Sequence, residues 1–343
     1  MPSVSAIARR AGVSKSTVSL VLNNKPNVTD AMRRRVLQAV EDLQRVAVTV
    51  PTPSRTALNV LLVHPISLGS QQVFRELLQG VKTGIDEADG RLTLAVHQPP
   101  LQPEHLTHAL LHDRAFRPDG VIVMGARVDD PIFDEIRSEN LPCVLLARQD
   151  APPEFSAVGM DNQEGARQAT DYLIELGHRR IAFLGGDPSF DYARLRQAGY
   201  NAALQSAQLE TQGLVFPGLG DEAARAFLNA RPNATAILFV NDEQALRALP
   251  VLTQAGLRIP RDLSVICFDD TENVARYNPP LTAVAVPRTQ VGYWTAKTLI
   301  DCIRHPDLKS VRVVLRTHLT VRASCQTPQN KSSSSHTSRR MSH

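Results

Sequence analysis

The chain has 343 residues, 43% of them hydrophobic and 21% charged, with a net charge of +4; this is near the globular average, so wholesale disorder is excluded and two or three domains fit the length. No apolar run reaches the ~18 residues of a membrane span, the N-terminus carries no secretory leader, and Cys143, Cys267, Cys302 and Cys325 lack metal, redox or disulfide spacing, so a reduced, cytoplasmic protein is expected. The charge is uneven: residues 1–50 hold eight Lys/Arg against three acids, the tail from Gln326 adds three more bases, and the rest is mildly acidic. A basic head on an acidic body points to a polyanion-binding module, a solvated basic surface being the plainer alternative.

Three short helices are predicted within residues 3–43. Val4, Ile7, Ala8 and Ala11 recur at helical spacing. Gly12 suits a positive φ at the end of the first helix. Ser14 is a good N-cap for a second, Lys15 to about Leu22, with Val18, Val21 and Leu22 inward. After the polar loop Asn23–Asn27, Thr29 caps a third helix with Met32, Val36, Val40 and Leu43 on one face. Arg33, Arg34 and Arg35 stand in its early turns, where the macrodipole disfavours cations; phosphate is a candidate reason. Two helices joined by a tight glycine turn form a helix-turn-helix, whose second helix fits the major groove. Its outward residues Lys15, Ser16, Thr17 and Ser19 are small or polar, and hydroxyls bond phosphates. A purely structural helix pair would show the same spacing and caps.

The residues themselves are more specific. Ala11-Gly12-Val13-Ser14-Lys15-Ser16-Thr17-Val18-Ser19-Leu20-Val21-Leu22-Asn23 resembles the head of LacI-family transcriptional regulators, whose pattern is close to A-G-V-S-x-x-T-V-S-x-V-L-N, and Val28-Thr29, Arg33 and Val36-Leu37 continue it. The resemblance implies a DNA-binding domain over residues 1–48. Base edges would be read by Lys15, Ser16 and Leu20, with Lys15 suited to guanine O6 or N7 and Leu20 to a thymine methyl. Ser5, Ser14, Thr17, Asn23 and Thr29 would touch backbone phosphates. Leu20 departs from the Arg common in the family, and Ala6 from a common Asp.

Residues 49–57 are expected to form a linker. Relatives place a hinge helix here, with an apolar wedge in the minor groove. The β-branched Val48, Thr49 and Val50, followed by Pro51 and Pro53, disfavour helix, so an extended segment with a weak or absent hinge is predicted.

From Leu58 apolar strands alternate with helices. Strands are expected at Leu58–Val63, Leu92–Val96, Gly120–Met124, Cys143–Ala147, Arg180–Leu184, Ala236–Val240 and Leu263–Phe268. Helices are expected at Gln71–Asp89, His105–Arg114, Pro131–Glu139, Gly165–Leu176, Asp191–Ala207, Glu222–Arg231 and Asp242–Ala255. This is the pattern of parallel, doubly wound α/β sheets covered on both faces, and its length suggests two lobes with a ligand cleft at strand C-termini. Val158-Gly159-Met160-Asp161-Asn162, Leu176 to Gly186, Arg194 to Tyr200, Val240-Asn241-Asp242 and Phe268-Asp269-Asp270 resemble the family's effector domain, which is similar to periplasmic sugar-binding proteins. The resemblance implies a two-lobed effector and dimerisation domain over 58–325, with an N-lobe of 58–158 plus 288–317. The C-lobe would be 159–287 plus a strand near 318–324.

Arg196, Asn241 and Asp269 match ligand-bearing positions of many relatives, and their chemistry suits polyols: a guanidinium donates, a carboxylate accepts, an amide does both. Phe74 resembles an aromatic that stacks on ligand rings, and Arg148 and Asp191 are placed nearby by the same logic. Ala147 and Val286 stand where relatives often carry an acid and a Gln, so an acidic sugar or other anion, met by Arg148 and Arg196, is a further hypothesis. His105, His108 and His112 share a predicted helix face without a fourth ligand and are read as solvated. Leu184-Gly185-Gly186-Asp187 lacks the Lys-Ser/Thr of a phosphate loop, and neighbours Asp269 and Asp270 point different ways. No cofactor, metal or catalytic set is expected. Residues 326–343 are low-complexity and expected to be disordered. The expectation is a homodimeric repressor of a pseudo-palindromic operator, modulated by a sugar-like effector in the cleft. A solute-binding protein for transport is the alternative, and an enzyme on the same scaffold a third.

Overall fold

The structure, a computed structural model, describes residues 4–22, 28–46, 57–65, 71–97, 110–111, 117–126, 130–308 and 310–329. It divides into two units, residues 1–57 and 58–343.

In the first unit α1 (Val4–Ala11), α2 (Lys15–Leu22) and α3 (Asp30–Val46) close on Ile7, Ala8, Ala11, Val18, Val21, Val36 and Ala39. Leu22 and Met32, expected inward, are instead 44% and 42% exposed. A core this small takes only a narrow stripe from each helix, and on α3 that stripe runs through Val36 and Ala39. The side chains of Val40 and Leu43, and the linker residues 47–56, lie outside the described residues.

In the second unit the strands are β1 (Asn59–Pro65), β2 (Arg91–His97), β3 (Gly120–Met124), β4 (Cys143–Leu146), β5 (Ser156–Met160), β6 (Ile181–Leu184), β7 (Val215–Phe216), β8 (Ala236–Phe239), β9 (Ser264–Asp269), β10 (Thr282–Ala285), β11 (Arg312–Leu315) and β12 (His318–Thr320). They form two six-stranded sheets, β11-β5-β4-β3-β1-β2 and β12-β10-β9-β8-β6-β7. All pairs are parallel except β10 with β12. The strands are apolar because both faces are covered. In β1, Val60 and Leu62 enter one core while Leu61 and Val63 enter another, the period of two expected of a pleated strand. The core holding Val60 and Leu62 is continuous with Ile181, Phe183, Leu238 and Phe268 of the second sheet.

The covering helices are α4 (Gln71–Asp86) and α5 (Ile132–Ser138), then α6 (Asn162–Glu175), α7 (Asp191–Ser206), α8 (Gly220–Ala230), α9 (Asp242–Gln254) and α10 (Glu272–Ala275), and finally α11 (Arg288–Arg304). Helices α4 and α11 approach through glycine: a Cβ on Gly292 would lie 2.0 Å from the Leu77 carbonyl, and one on Gly80 1.9 Å from the Thr289 carbonyl. Helices α6 and α7 do the same at Gly199, whose Cβ would lie 2.0 Å from the Gln163 carbonyl. The chain passes between the sheets three times, after β5, after β10 and after β11.

Four strands, β5, β7, β10 and β11, were not among those expected, nor were helices α10 and α11. β5 and β10 read Ser-Ala-Val-Gly-Met and Thr-Ala-Val-Ala, short runs of mostly small residues with a weak strand signal. Helix α11 buries residues around much of its circumference, Val291, Gly292, Thr295, Ala296, Leu299 and Ile300 among them, which blurs the amphipathic period. Most of the expected helix His105–Arg114 lies outside the described residues, with its three histidines. The segment after Cys325, expected to be disordered, is fixed at its start: His178 Nε2 lies 3.0 Å from the Gln326 carbonyl, and the Gln326 amide donates to Ser264 Oγ at 3.1 Å. Residues 330–343 lie outside the described residues.

Candidate functional site

The head holds its second helix by a turn and a cap. Gly12 has φ +61°, open to glycine without strain. Ser14 Oγ accepts from Thr17 N at 3.1 Å, the bond an N-cap makes. The same hydroxyl lies 2.7 Å from Ser16 Oγ and 2.9 Å from Thr17 Oγ1. Lys15, Ser16 and Leu20 are exposed on α2, and Thr17 is half-buried. Thr29 Oγ1 accepts from Met32 N at a long 3.4 Å. Arg35, whose placement suggested a phosphate ligand, donates to the Ala11 carbonyl at 2.7 Å and so holds the end of α1. Asn23 and the Ser5 side chain lie outside the described residues.

In the larger unit a cavity of about 650 Å³ opens between the sheets, at the C-terminal ends of their strands. Its floor is Arg196 on α7, 4% exposed. Its guanidinium donates to Asn162 Oδ1 at 2.9 Å, to the Val240 carbonyl at 2.6 Å and to Asp269 Oδ1 at 3.2 Å. The Arg196 charge also sits 3.7 Å from the Phe268 ring centre and 5.2 Å from that of Tyr192, a double cation–π contact. Asp269 has φ +98°, and its carbonyl accepts from Arg288 Nη1. Its neighbour turns away, Asp270 pairing with Arg322 at 2.6 Å.

Asn241 borders the cavity as the N-cap of α9: its Oδ1 accepts from Gln244 N at 2.9 Å, leaving Nδ2 for a ligand. Arg148 borders it too, but donates to the Ala126 carbonyl at 2.8 Å and to the Asp150 carbonyl. Asp191 is committed to the backbone, Oδ2 accepting from Gln149 N and Asp150 N at 3.1 and 3.3 Å, and Oδ1 from Tyr192 N at 2.9 Å. Phe74 is a correction: Val73 and Leu77 of the same helix line the cavity, while the Phe74 ring stacks on His64 at 4.7 Å. Ala147 and Val286 both line the wall.

Several cavity residues escaped the sequence reading: His64, Asp242, Glu222, Glu243, Arg247 and Arg288. Asp242 lay in a matched stretch and was passed over beside Asn241. Its carboxyl is 2% exposed and is pushed up to about 7 by burial and by the neighbouring Asp269 charge. Arg288, at the start of α11, pairs with Glu76 at 2.7 Å. Burial lowers the His64 imidazole below its usual range, against a raising backbone hydrogen bond with Met124. Among the described residues no group of three or more His, Cys, Asp and Glu could hold a metal ion, and no helix is long and apolar enough to cross a membrane.

A helix-turn-helix unit joined to a two-lobed α/β body defines a DNA-binding regulator with a periplasmic-binding-protein-like body. Residues 4–44 match the family described as bacterial regulatory proteins, lacI family, and residues 170–325 match the periplasmic binding protein-like domain. The HTH-type transcriptional regulator CelR of Thermobifida fusca is 34% identical over 340 residues, covering 94% of this chain and 98% of that protein. The ribose operon repressor of Escherichia coli is 29% identical over 336 residues, covering 94% of this chain and all of that one. Among solved structures, a CelR–cellobiose complex superposes with a TM-score of 0.71 at 32% identity, over 94% of this chain and 100% of that one. The lac repressor dimer bound to operator and the anti-inducer ONPF does so with 0.69 at 26% identity, over 95% and 99%. The chain belongs to the LacI family. It is a DNA-binding transcriptional regulator, not an enzyme, and the transport reading falls away.

Proposed function

We propose that the chain is a cytoplasmic, homodimeric repressor whose operator affinity is set by an uncharged sugar in the cleft. Lys15, Ser16 and Leu20 read base edges in the major groove, and Ser5, Ser14, Thr17, Asn23 and Thr29 contact phosphates, two heads meeting a pseudo-palindromic site. The observation that supports the head's part is the exposure of Lys15, Ser16 and Leu20 on a helix fixed by Ser14 and Gly12. Exposed Leu94 and Val96 on the edge strand β2 supply an apolar surface suited to the second copy.

Arg196, Asn241 and Asp269 anchor the sugar; Arg148 and Asp191 shape its pocket, and Phe74 supports it only through His64. An anionic sugar is disfavoured. Arg148 and Arg196 are spent on protein oxygens, and six carboxylates border the cavity (Asp187, Asp191, Glu222, Asp242, Glu243 and Asp269) against four guanidiniums. The relative solved with cellobiose makes a neutral glycoside the first candidate. A ligand that favours one angle between the lobes need supply only about 1–3 kcal/mol of coupling to change operator affinity 5–150-fold.

Two experiments test this. In gel shifts with operators selected from random duplex, the full chain binds in a salt-dependent manner and residues 58–343 do not; binding by the truncated chain overturns the head's assignment. In thermal unfolding of the full chain with cellobiose, ribose, glucose and glucuronate, a neutral sugar at 100 times its Kd stabilises by about 2.7 kcal/mol. Stabilisation by glucuronate alone overturns the reading of an uncharged ligand.

A further inference from the structure

Among the described residues only two buried side-chain nitrogen or oxygen atoms lack a hydrogen-bond partner: His64 Nδ1 and Asp242 Oδ1. Folded proteins pair such atoms almost without exception, so each unpaired one calls for a cause. Both residues border the same cavity. They stand on opposite lobes, His64 in β1 of the first sheet and Asp242 at the start of α9 beside the second.

The rest of each side chain is already held. The His64 ring is stacked on Phe74, 14° from parallel, with the Met124 backbone beside it. A neutral imidazole carries one N–H, so Nδ1 is an acceptor in one tautomer and a donor in the other, and a hydroxyl can pair with either. Asp242 Oδ2 accepts from Thr271 N at 2.5 Å, the Thr271 hydroxyl and Cys267 thiol also lie against the carboxyl, and Oδ1 is left without a well-formed hydrogen bond. Both orphan atoms have almost no exposure in the free protein, so a hydroxyl reaches them only as the cavity walls shift when a ligand is seated.

We propose that His64 and Asp242 are effector contacts, one from each lobe, which hydroxyls of a single bound sugar pair across the cleft. A hydroxyl both donates and accepts, so it serves Nδ1 and either form of the carboxyl. A ligand carboxylate only accepts, and cannot serve an ionised Asp242. The two atoms stay unpaired in the free protein and become paired only when lobes and ligand come together. They therefore contribute differently to the two states, which is what a switching ligand requires. This rests on the reading of the cleft as a sugar site.

The test is calorimetric titration of the full chain with cellobiose, ribose and glucose, for wild type, His64→Phe, His64→Asn and Asp242→Asn, each first shown to unfold cooperatively without sugar. His64→Phe keeps the stacking and removes the acceptor, and lowers affinity at least tenfold. His64→Asn returns an acceptor near the Nδ1 position and recovers most of it. Asp242→Asn keeps the Thr271 bond, puts a donor where the acceptor stood, and lowers affinity at least fivefold. Affinities of His64→Phe and Asp242→Asn both within twofold of wild type overturn the inference alone, and a loss in only one of them overturns the bridge between lobes. Failure of all three sugars to bind wild type overturns the reading of the cleft and this inference with it.

Discussion

The two lobes repeat one sheet order, with β1, β3, β4 and β5 of the first answering to β6, β8, β9 and β10 of the second, yet they line the shared cavity differently. The first presents mostly apolar side chains, Val73, Leu77, Met124, Leu146 and Ala147, beside His64 and Arg148; the second presents mostly polar ones, Arg196, Asn241, Asp242, Glu243 and Asp269, beside Phe190 and Tyr192. Repetition of a scaffold thus leaves its strand ends free to diverge, and chemistry resides in the side chains placed there. A sugar has the same two characters, an apolar face of C–H groups and an edge of hydroxyls. One lobe suits mainly the face, with His64 as its polar point, and the other mainly the edge.

This contrast can be broken or sharpened by substitution. The largest effect is expected from Arg196→Ala. It strands Asp269, Asn162 Oδ1 and the Val240 carbonyl, and removing one partner of a buried pair typically costs about 3–5 kcal/mol. Denaturant unfolding should show that loss, and sugar should no longer raise the melting temperature. A retained sugar response would move the polar anchor elsewhere.

Next come Gly199→Ala and Gly292→Ala, one per lobe. Each added methyl falls 2.0 Å from a backbone carbonyl of the facing helix, and overpacking of this kind costs about 1–3 kcal/mol, more than the helix propensity gained. Equal losses support the equivalence of the helix pairs α4/α11 and α6/α7; a loss in one alone refutes it.

Asp242→Asn tests the polar lobe through pH. The folded carboxyl is raised to about 7, so between the ordinary carboxylate range and pH 7 the native state binds more protons than the unfolded one. Wild-type stability from this group is present at low pH and falls as pH rises through that interval. The variant lacks this slope, so its stability relative to wild type should climb from pH 5 to pH 8 in denaturant titrations. A difference independent of pH would mean that Asp242 ionises normally. The smallest effect belongs to Arg194→Ala, which removes an exposed pair with Asp150 across the cleft, 3.1 Å in length; surface pairs are worth about 0.2–1 kcal/mol.

What the sequence disclosed follows the same division. The head was legible because its signals are local: glycine, cap and apolar spacing fall within a dozen residues. The α/β alternation was legible from strands such as β1 and β9. β10 and α11 were not: β10 is buried on both faces and α11 over a wide arc, which blurs the alternation that marks an element. Within the cavity, Arg196, Asn241 and Asp269 were identifiable by type and position. The sequence could not show that Asn241 Oδ1 caps its own helix, that Asp191 is taken up by backbone amides, or that Val73 replaces Phe74 in the wall. Those depend on register and on rotamers, which spacing alone does not fix. His64 and Asp242 became visible only as missing partners, a property of the packed molecule.

The hold of Arg35 on the Ala11 carbonyl has an effect on ionic behaviour. A guanidinium partly engaged by the protein neutralises a phosphate less fully, so counting the bases of the head overstates the ions released on association. Each phosphate truly neutralised contributes about 0.9 to the slope of log affinity against log salt. Arg35→Gln should leave that slope nearly unaltered while loosening the turn that steers α2, whereas Lys15→Gln should change sequence preference with the turn intact.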